Sequence, residues 1–414
     1  MNVNKNTPDI RFSGFGGNWD KKKLAELVQP VSSYPLSRGV EVNEDTKYRY
    51  IHYGDIHRGK LKVIKSEKQL SNIHMGNYEL LEKGDLVVAD ASEDYEGIAN
   101  PCVLDYELQD KVVAGLHTIA MRPINTDPLY LYNLFHTDLF KSHGRFIGTG
   151  TKVFGISAKN LLRFESFVPE LNEQAAIGSF FQHIDETIAL SRRKHEKTKT
   201  LKNAFLSKMF PQTGKNQPEI RLKGFSGDWV KKMLVDEVDF FTGLTYSPSD
   251  VTDKAGTLVL RSSNVQGGDI SLKDNVYVSS EVVNSQNVEP GDVIVVVRNG
   301  SRNLIGKHAM IKEPMANTVI GAFMTGIRAP TPSFLNALLD TQQFSDEISK
   351  NLGATINQIT GGMFKSMEFY FPQAEEQIAI GQSFKKIDDT LALQAKQLKT
   401  LESFKKALLA KMFV

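Results

Sequence analysis

The sequence predicts an α/β (α+β) chain made of two similar domains, carrying an internal pseudo-two-fold duplication. Two long antiparallel coiled-coil helices are expected to separate the domains. Three observations predict this: one stretch of sequence is written twice, the middle of each copy is rich in strand-forming runs, and each copy ends on a long helical pattern.

The repeat is read first because it reshapes every other reading. Pro8-Asp-Ile-Arg-Phe-Ser-Gly-Phe-Gly-Gly-Asn-Trp19 returns as Pro218-Glu-Ile-Arg-Leu-Lys-Gly-Phe-Ser-Gly-Asp-Trp229, so both tryptophans occupy one point of a shared opening segment. Further on, Glu173-Gln174, Ile177-Gly178, Phe181, Ile184-Asp185 and Thr187 return as Glu376-Gln377, Ile380-Gly381, Phe384, Ile387-Asp388 and Thr390. This second match runs without a gap to Lys208-Met209-Phe210 against Lys411-Met412-Phe413. The offset is 210 at the opening and 203 at the end, so the second copy is seven residues shorter, all lost in its middle. A skeleton survives between the matched ends. Glu82-Lys-Gly-Asp85 matches Glu289-Pro-Gly-Asp292, Gly115 and Arg122 match Gly321 and Arg328, and Tyr50 to Ile56 can be laid on Val259 to Val265. Like ends therefore enclose unlike middles on one framework, the pattern of a scaffold kept while its loops change.

Each middle is read as a compact α/β domain. Val87-Val88, Val112-Val113, Val276 to Val278 and Val293 to Val297 are short β-branched runs bounded by Gly, Asn, Asp and Pro, and are expected strands. Leu129 to Lys141 and Phe334 to Asn351 are expected helices. The copy ends are read as longer helices. Ile380, Phe384, Ile387, Leu391, Leu398, Leu401, Leu408 and Met412 recur with heptad spacing, interrupted by Gln394 and Lys405. The first copy repeats the seam at Ile177, Phe181, Ile184, Ile188, Phe205 and Met209, broken at Ser191, His195, Thr198 and Lys202. The expected divisions are 1–169, a helix and linker at 170–217, 218–372, and a final helix at 373–414.

Bulk properties exclude several classes. With 41% hydrophobic and 24% charged residues the composition is that of an ordinary soluble protein. The longest apolar run is far too short to cross a membrane, and no signal-peptide core opens the chain. A single cysteine, Cys102, permits no internal disulfide and fits a reducing cytoplasm. The net charge of +2 confines any basic surface to local runs, such as Arg192 to Lys208 and Lys385 to Lys411.

A tandem of variable α/β domains, each followed by a matching helix, resembles the specificity subunit of type I restriction-modification systems. The resemblance spans essentially the whole chain. It rests on the Glu-Gln … Ile … Phe … Ile-Asp helix starts after Phe167-Val-Pro169 and Phe371-Pro372, and on the Gly-Asp strand starts. Asp90 to Tyr95, Arg261 to Asn264 and Arg298 to Ser301 also carry it. It implies two target recognition domains, each reading one half of a split, bipartite and asymmetric double-stranded DNA site. It implies helices that act as spacer and as docking surface for two adenine-methyltransferase subunits, with endonuclease/translocase subunits joining later. It also implies no cofactor in this chain, with S-adenosylmethionine and ATP/Mg belonging to the partner subunits.

Catalytic motifs are imitated but incomplete. Phe12-x-Gly14-x-Gly16 imitates an S-adenosylmethionine loop, but the second copy reads Gly224-Phe-Ser226. Gly300 to Gly306-Lys307-His308 has the wrong spacing for a phosphate loop and lacks its Ser/Thr. Asp9 … Asp20-Lys-Lys22 imitates a metal nuclease, but its acid-x-Lys step is missing from the second copy. Asn100-Pro-Cys-Val103 lacks the second proline and the aromatic ring of an adenine-methylation motif. No metal-ligand spacing is present. The chain is therefore expected to bind rather than catalyse. A structural adaptor binding protein or sugar is the alternative reading, separable by salt-dependent binding of duplex DNA.

Reading bases takes Arg, Lys, Asn, Gln, Ser or Thr on loops, with other donors on phosphates. The expected DNA-binding residues in the first copy are His52, His57, Arg58, Lys60, Ser92, Thr149 and Lys152. In the second they are Arg261, Ser263, Asn264, Gln266, Arg298, Asn299, Ser301, Arg302, Asn357 and Gln358. His117 and His143 are expected to be buried or turn residues.

Overall fold

The computed structural model describes residues 6–92, 97–147, 154–212, 214–352 and 357–414. The chain divides into two compact units, Met1–Arg192 with Gln397–Val414, and Arg193–Lys396.

The first unit is built on a five-stranded sheet in the order Val28–Val31, Thr118–Pro123, Leu86–Ala89, Pro101–Leu104, Val63–Ile64. Only its last pair is parallel. A second sheet runs Lys111–Ala114, Tyr48–Ile51, Ser71–Ile73, Glu41–Val42, with its first pair parallel. An antiparallel ribbon ties Asp20–Lys23 to Glu165–Val168.

The second unit repeats this plan. Asp239–Thr242, Met324–Arg328, Val293–Val296 and His308–Met310 form an antiparallel sheet. Thr318–Ile320, Thr257–Leu260, Val276–Val278 and Val251–Thr252 form the second sheet, again with the first pair parallel. Val230–Met233 pairs with Glu368–Phe371. Among the described residues no counterpart of the Val63–Ile64 edge strand is present. The expected strands lie at these positions. In both copies the central strand is apolar throughout because it is covered on both faces: Leu86 and Val88 enter one core, Val87 and Ala89 another, and Val293 to Val296 alternate likewise.

The two expected helical patches are each broken in two. Pro128–Leu134 is followed by Asp138–Ile147, and Pro332–Leu339 by Gln342–Asn351. Thr137 and Thr341 cause the break. Each hydroxyl donates back to a carbonyl, Leu134 at 2.7 Å and Leu338 at 2.6 Å, and accepts from the next helix at Phe140 and Phe344.

The residues shared by both copies hold this frame. Asp85 is fully buried and receives two hydrogen bonds from Arg122, at 2.9 and 2.8 Å. Asp292 receives two from Arg328, both at 2.8 Å. Arg11 grips Glu173 through two bonds of 2.7 Å and donates to the carbonyls of Gly16 and Gly17. Arg221 grips Glu376 at 2.7 and 2.6 Å and donates to Ser226 and Gly227. The glycine loop that imitates a cofactor motif is thus a turn fastened to the start of a long helix. Gln174 donates to Pro169 O at 2.8 Å and Gln377 to Pro372 O at 3.0 Å, fixing the same junction. A Cβ at Gly178 would meet Tyr130 N at 2.9 Å, and one at Gly381 would meet Phe334 N at 2.7 Å. Glycine lets helix and domain approach at both sites.

The long helices are Leu171–Met209 and Ala374–Met412, 39 residues each. Within each unit their segments run antiparallel. In the first, Asp185 takes Lys405 at 2.6 and 2.7 Å, and Phe181 lies 5.9 Å from Phe413. In the second, Asp388 takes Lys202 at 2.7 Å, Gln394 donates to Thr198 at 3.3 Å, and Phe210 lies 5.9 Å from Phe384. Of the polar residues that interrupt the seams, Thr198 and Gln394 thus pair with each other, and Lys202 and Lys405 are answered by aspartates of the facing helix. Ile177, Phe181, Ile184, Ile188, Ile380, Phe384 and Leu408 are buried, while Phe205, Ile387, Leu391, Leu398 and Leu401 are partly so. Ile10 N donates to Lys411 O and Ile220 N to Lys208 O. Each opening segment is thus sealed by equivalent main-chain contacts at a helix end.

Candidate nucleic-acid interface

In each copy two parallel neighbours of one sheet and the central strand of the other release loops that converge. In the first copy these are the loops after Tyr48–Ile51, Leu86–Ala89 and Lys111–Ala114. His52 is buried, and its Nδ1 accepts from Gly54 N at 3.1 Å to cap the short helix Tyr53–His57. Burial, with the Arg38 charge, holds this imidazole below its ordinary value and so neutral. The same helix carries the buried Asp55, around which a basic cluster gathers. Arg38 lies 2.8 Å from its Oδ1, Arg58 3.5 Å and Lys60 3.7 Å. Burial opposes ionisation of Asp55, but Arg38, Lys60 and Arg58 outweigh it and hold the carboxyl below its ordinary range. Arg58 and Lys60 remain exposed. Around this cluster Ser92 Oγ lies 3.5 Å from His57 Nδ1, His117 packs edge-on to Tyr53 at 5.3 Å, and His117 Nδ1 lies 3.3 Å from Asp90. Burial keeps Asp90 above the ordinary carboxylate range against the pull of His117.

In the second copy the equivalent loops follow Thr257–Leu260, Val293–Val296 and Thr318–Ile320. Arg261 is tied to Asp274 at 2.9 Å, and its N–H donates to Asn264 at 2.8 Å. Asn264 is fully buried, donating to Ser271 O and Asp274 O. Asn299 donates to Ser262 Oγ at 2.9 Å, and Asn357 to Gly300 O at 3.1 Å. Arg298 is exposed and lies over the ring of Phe323, 4.9 Å from its centroid. Ile156 N donates to Asp90 O and Ile359 N to Val297 O, both at 2.8 Å, so the last loop of each copy docks in the same way.

Most of the expected residues therefore gather in two equivalent loop clusters. Arg58, Lys60, Gln266, Arg298, Ser301 and Arg302 are exposed, and Arg261, Ser263, Asn299, Asn357 and Gln358 are half-buried. His52, Ser92 and Asn264 are buried, and His52 and Asn264 spend their side chains on the loops themselves. Thr149 and Lys152 lie outside the described residues. Sequence reasoning missed Tyr53 and Asp55, although they stand between His52 and His57, and Arg38 and Phe323, which no local spacing places beside the rest. His117 was expected to be buried or in a turn; it is in a turn, but its place beside Tyr53 and Asp90 was not foreseen. His117 is exposed, its backbone in the left-handed region at φ 56, at the position that Phe323 occupies in the second copy. His143 is half-buried in its helix, its Nε2 3.3 Å from Asn160 O.

The repeated geometry matches a known family. The type I restriction modification DNA specificity domain model fits residues 16–200 and 226–403, one match for each copy. The chain belongs to this family. It is a specificity subunit, the DNA-recognition component of these systems and not their catalyst. The specificity subunit of the type I restriction enzyme MjaVIII of Methanocaldococcus jannaschii is 24% identical over 410 residues, 95% of this chain and 91% of its own. The EcoKI specificity subunit of Escherichia coli K12 is 27% identical over 173 residues, 40% of this chain and 36% of its own. The fold is shared with the type I restriction-modification S subunit of M. genitalium, with a TM-score of 0.66 at 14% identity over 99% of both chains. It is also shared with a chain from a structure of type I complex assembly and conformational transition, with a TM-score of 0.54 at 18% identity, covering 94% of this chain and 96% of that one.

Among the described residues, no helix of this specificity subunit is long and apolar enough to cross a membrane. Nor do any three His, Cys, Asp or Glu stand where they could hold a metal ion.

Proposed function

We propose that the two loop clusters are the DNA-contact faces, each reading one half of a bipartite, asymmetric site. The observation that carries this is the contrast within the repeat. The arginine clamps and helix junctions are kept residue for residue and the sheets keep their strand order apart from the Val63–Ile64 edge, whereas the loops at the three strand ends share almost nothing. A kept frame with changed loops suits two readers of different sequence. In this reading 1–169 and 218–372 are the recognition domains, and 170–217 and 373–414 the helical segments that dock two methyltransferase subunits. The bound complex then directs adenine methylation, and restriction once endonuclease/translocase subunits join, in the cytoplasm. S-adenosylmethionine and ATP/Mg act in those partners. Exposed Arg58 and Lys60 suit phosphates, which need a cation and little geometry.

Domain exchange tests this. Residues 230–370 are replaced by the matching segment of a relative, and the methylome is sequenced in cells that also carry the cognate methyltransferase. One half of the methylated site should change while the other persists. A change in both halves together would sink the modular reading.

A further inference from the structure

Arg298 differs from three other arginines of its copy. Arg221, Arg261 and Arg328 each hold a carboxylate, whereas Arg298 has none within ion-pair distance among the described residues. Its guanidinium lies instead over Phe323, 4.9 Å from the ring centroid. Phe323 is itself 52% exposed, so the stacked pair stands open to solvent. Two contacts make this pair rigid. The Arg298 and Val297 N–H groups both donate to Phe323 O, at 3.2 and 3.0 Å, and Arg298 bridges to Gln358 on the adjoining loop. A stacked guanidinium keeps its plane and loses rotamer freedom in advance, yet its N–H edge stays open. A phosphate needs no such preparation, as the looser Lys60 illustrates.

We infer that Arg298, held flat on Phe323, reads a guanine through paired hydrogen bonds to its O6 and N7 in the major groove, setting one position of the half-site recognised by the second copy. This rests on the strand-end loops being the DNA face. The chemistry is the guanidinium fork, which matches two acceptors on one base edge and which lysine cannot reproduce. The first copy has Ala91 where the second has Arg298, and His117 where it has Phe323, so its half-site has no guanine read in this way.

The experiment selects from a random duplex library with the chain reconstituted with its cognate methyltransferase, comparing wild type with R298K, R298A and F323A. The domain exchange described above assigns the half-sites. Both side chains are exposed, and melting temperature checks the fold of each variant. The wild type should enrich a half-site containing guanine. R298K and R298A should relax one guanine position by roughly 10- to 100-fold, leaving all other positions unchanged, and F323A should relax the same position less. A second-copy half-site without guanine would overturn the inference. So would R298K with an unaltered motif alongside R298A weakened on all sequences alike, since that is the behaviour of a phosphate contact. If wild type enriches no motif, it is the DNA-contact reading that falls, and this inference with it.

Discussion

Arg122 and Arg328, on the sheets, are spent on buried aspartates, whereas Arg58 and Arg298, at the strand ends, leave donors facing solvent. The sheet arginines repeat across the two copies with the same partners at nearly the same distances. The strand-end arginines do not repeat: Arg58 has no arginine counterpart in the second copy, and Ala91 replaces Arg298 in the first. The difference teaches what each region is for. A buried carboxylate must be paired wherever it stands, so its partner can hardly change. An exposed guanidinium carries no such constraint and is free to vary with what it meets.

The largest expected effect tests the frame. Arg11→Ala would leave Glu173, only 2% exposed, with an uncompensated charge, and should cost about 3–5 kcal/mol of stability in urea unfolding. Arg221→Ala should cost the same, through Glu376. A loss below about 1 kcal/mol in either copy would show that these clamps are not what hold the helix junctions.

A smaller effect sharpens the comparison of the two helix seams. Lys405 and Lys202 are equivalent, but the first copy adds His136 nearby where the second adds Asp340. Burial, helped by Lys405, lowers His136 from 6.5 to about 4. Above pH 6.5 the ring is neutral in the folded and unfolded chain, and it costs nothing. As pH falls from 6.5 towards 4, the unfolded chain takes a proton that the folded one refuses, so stability drops by about 3 kcal/mol. His136→Gln should flatten that part of the stability–pH curve. An unchanged slope would place the acid sensitivity elsewhere.

The smallest effect concerns the open cations. Lys60→Ala should weaken DNA binding several-fold on all sequences alike and reduce the salt slope by about 0.9, with the recognised motif unchanged. An altered motif would mean that Lys60 touches a base, and would move the phosphate grip to Arg38 or Arg58.

The repeat, the fold class and the two long helices were legible in the sequence by itself, because heptad spacing, β-branched runs and copied segments are local signals. The Glu-Gln starts and Gly-Asp turns could be seen to recur, but not why. Only the tertiary structure showed that Glu173 answers Arg11 across 162 positions and that Asp85 answers Arg122 across 37. Threonines 137 and 341 read as ordinary helix residues until their hydroxyls were seen capping the next helix. The loop clusters lay furthest from view. Arg298 and Phe323 meet because Val293–Val296 ends where its antiparallel neighbour Met324–Arg328 begins, and Arg38 reaches Asp55 from a different loop. Strand pairing depends on the whole chain rather than on any window of it. His52 and Asn264 have the chemistry of base readers, and the fold turned them inward because a tight loop must satisfy its own backbone first.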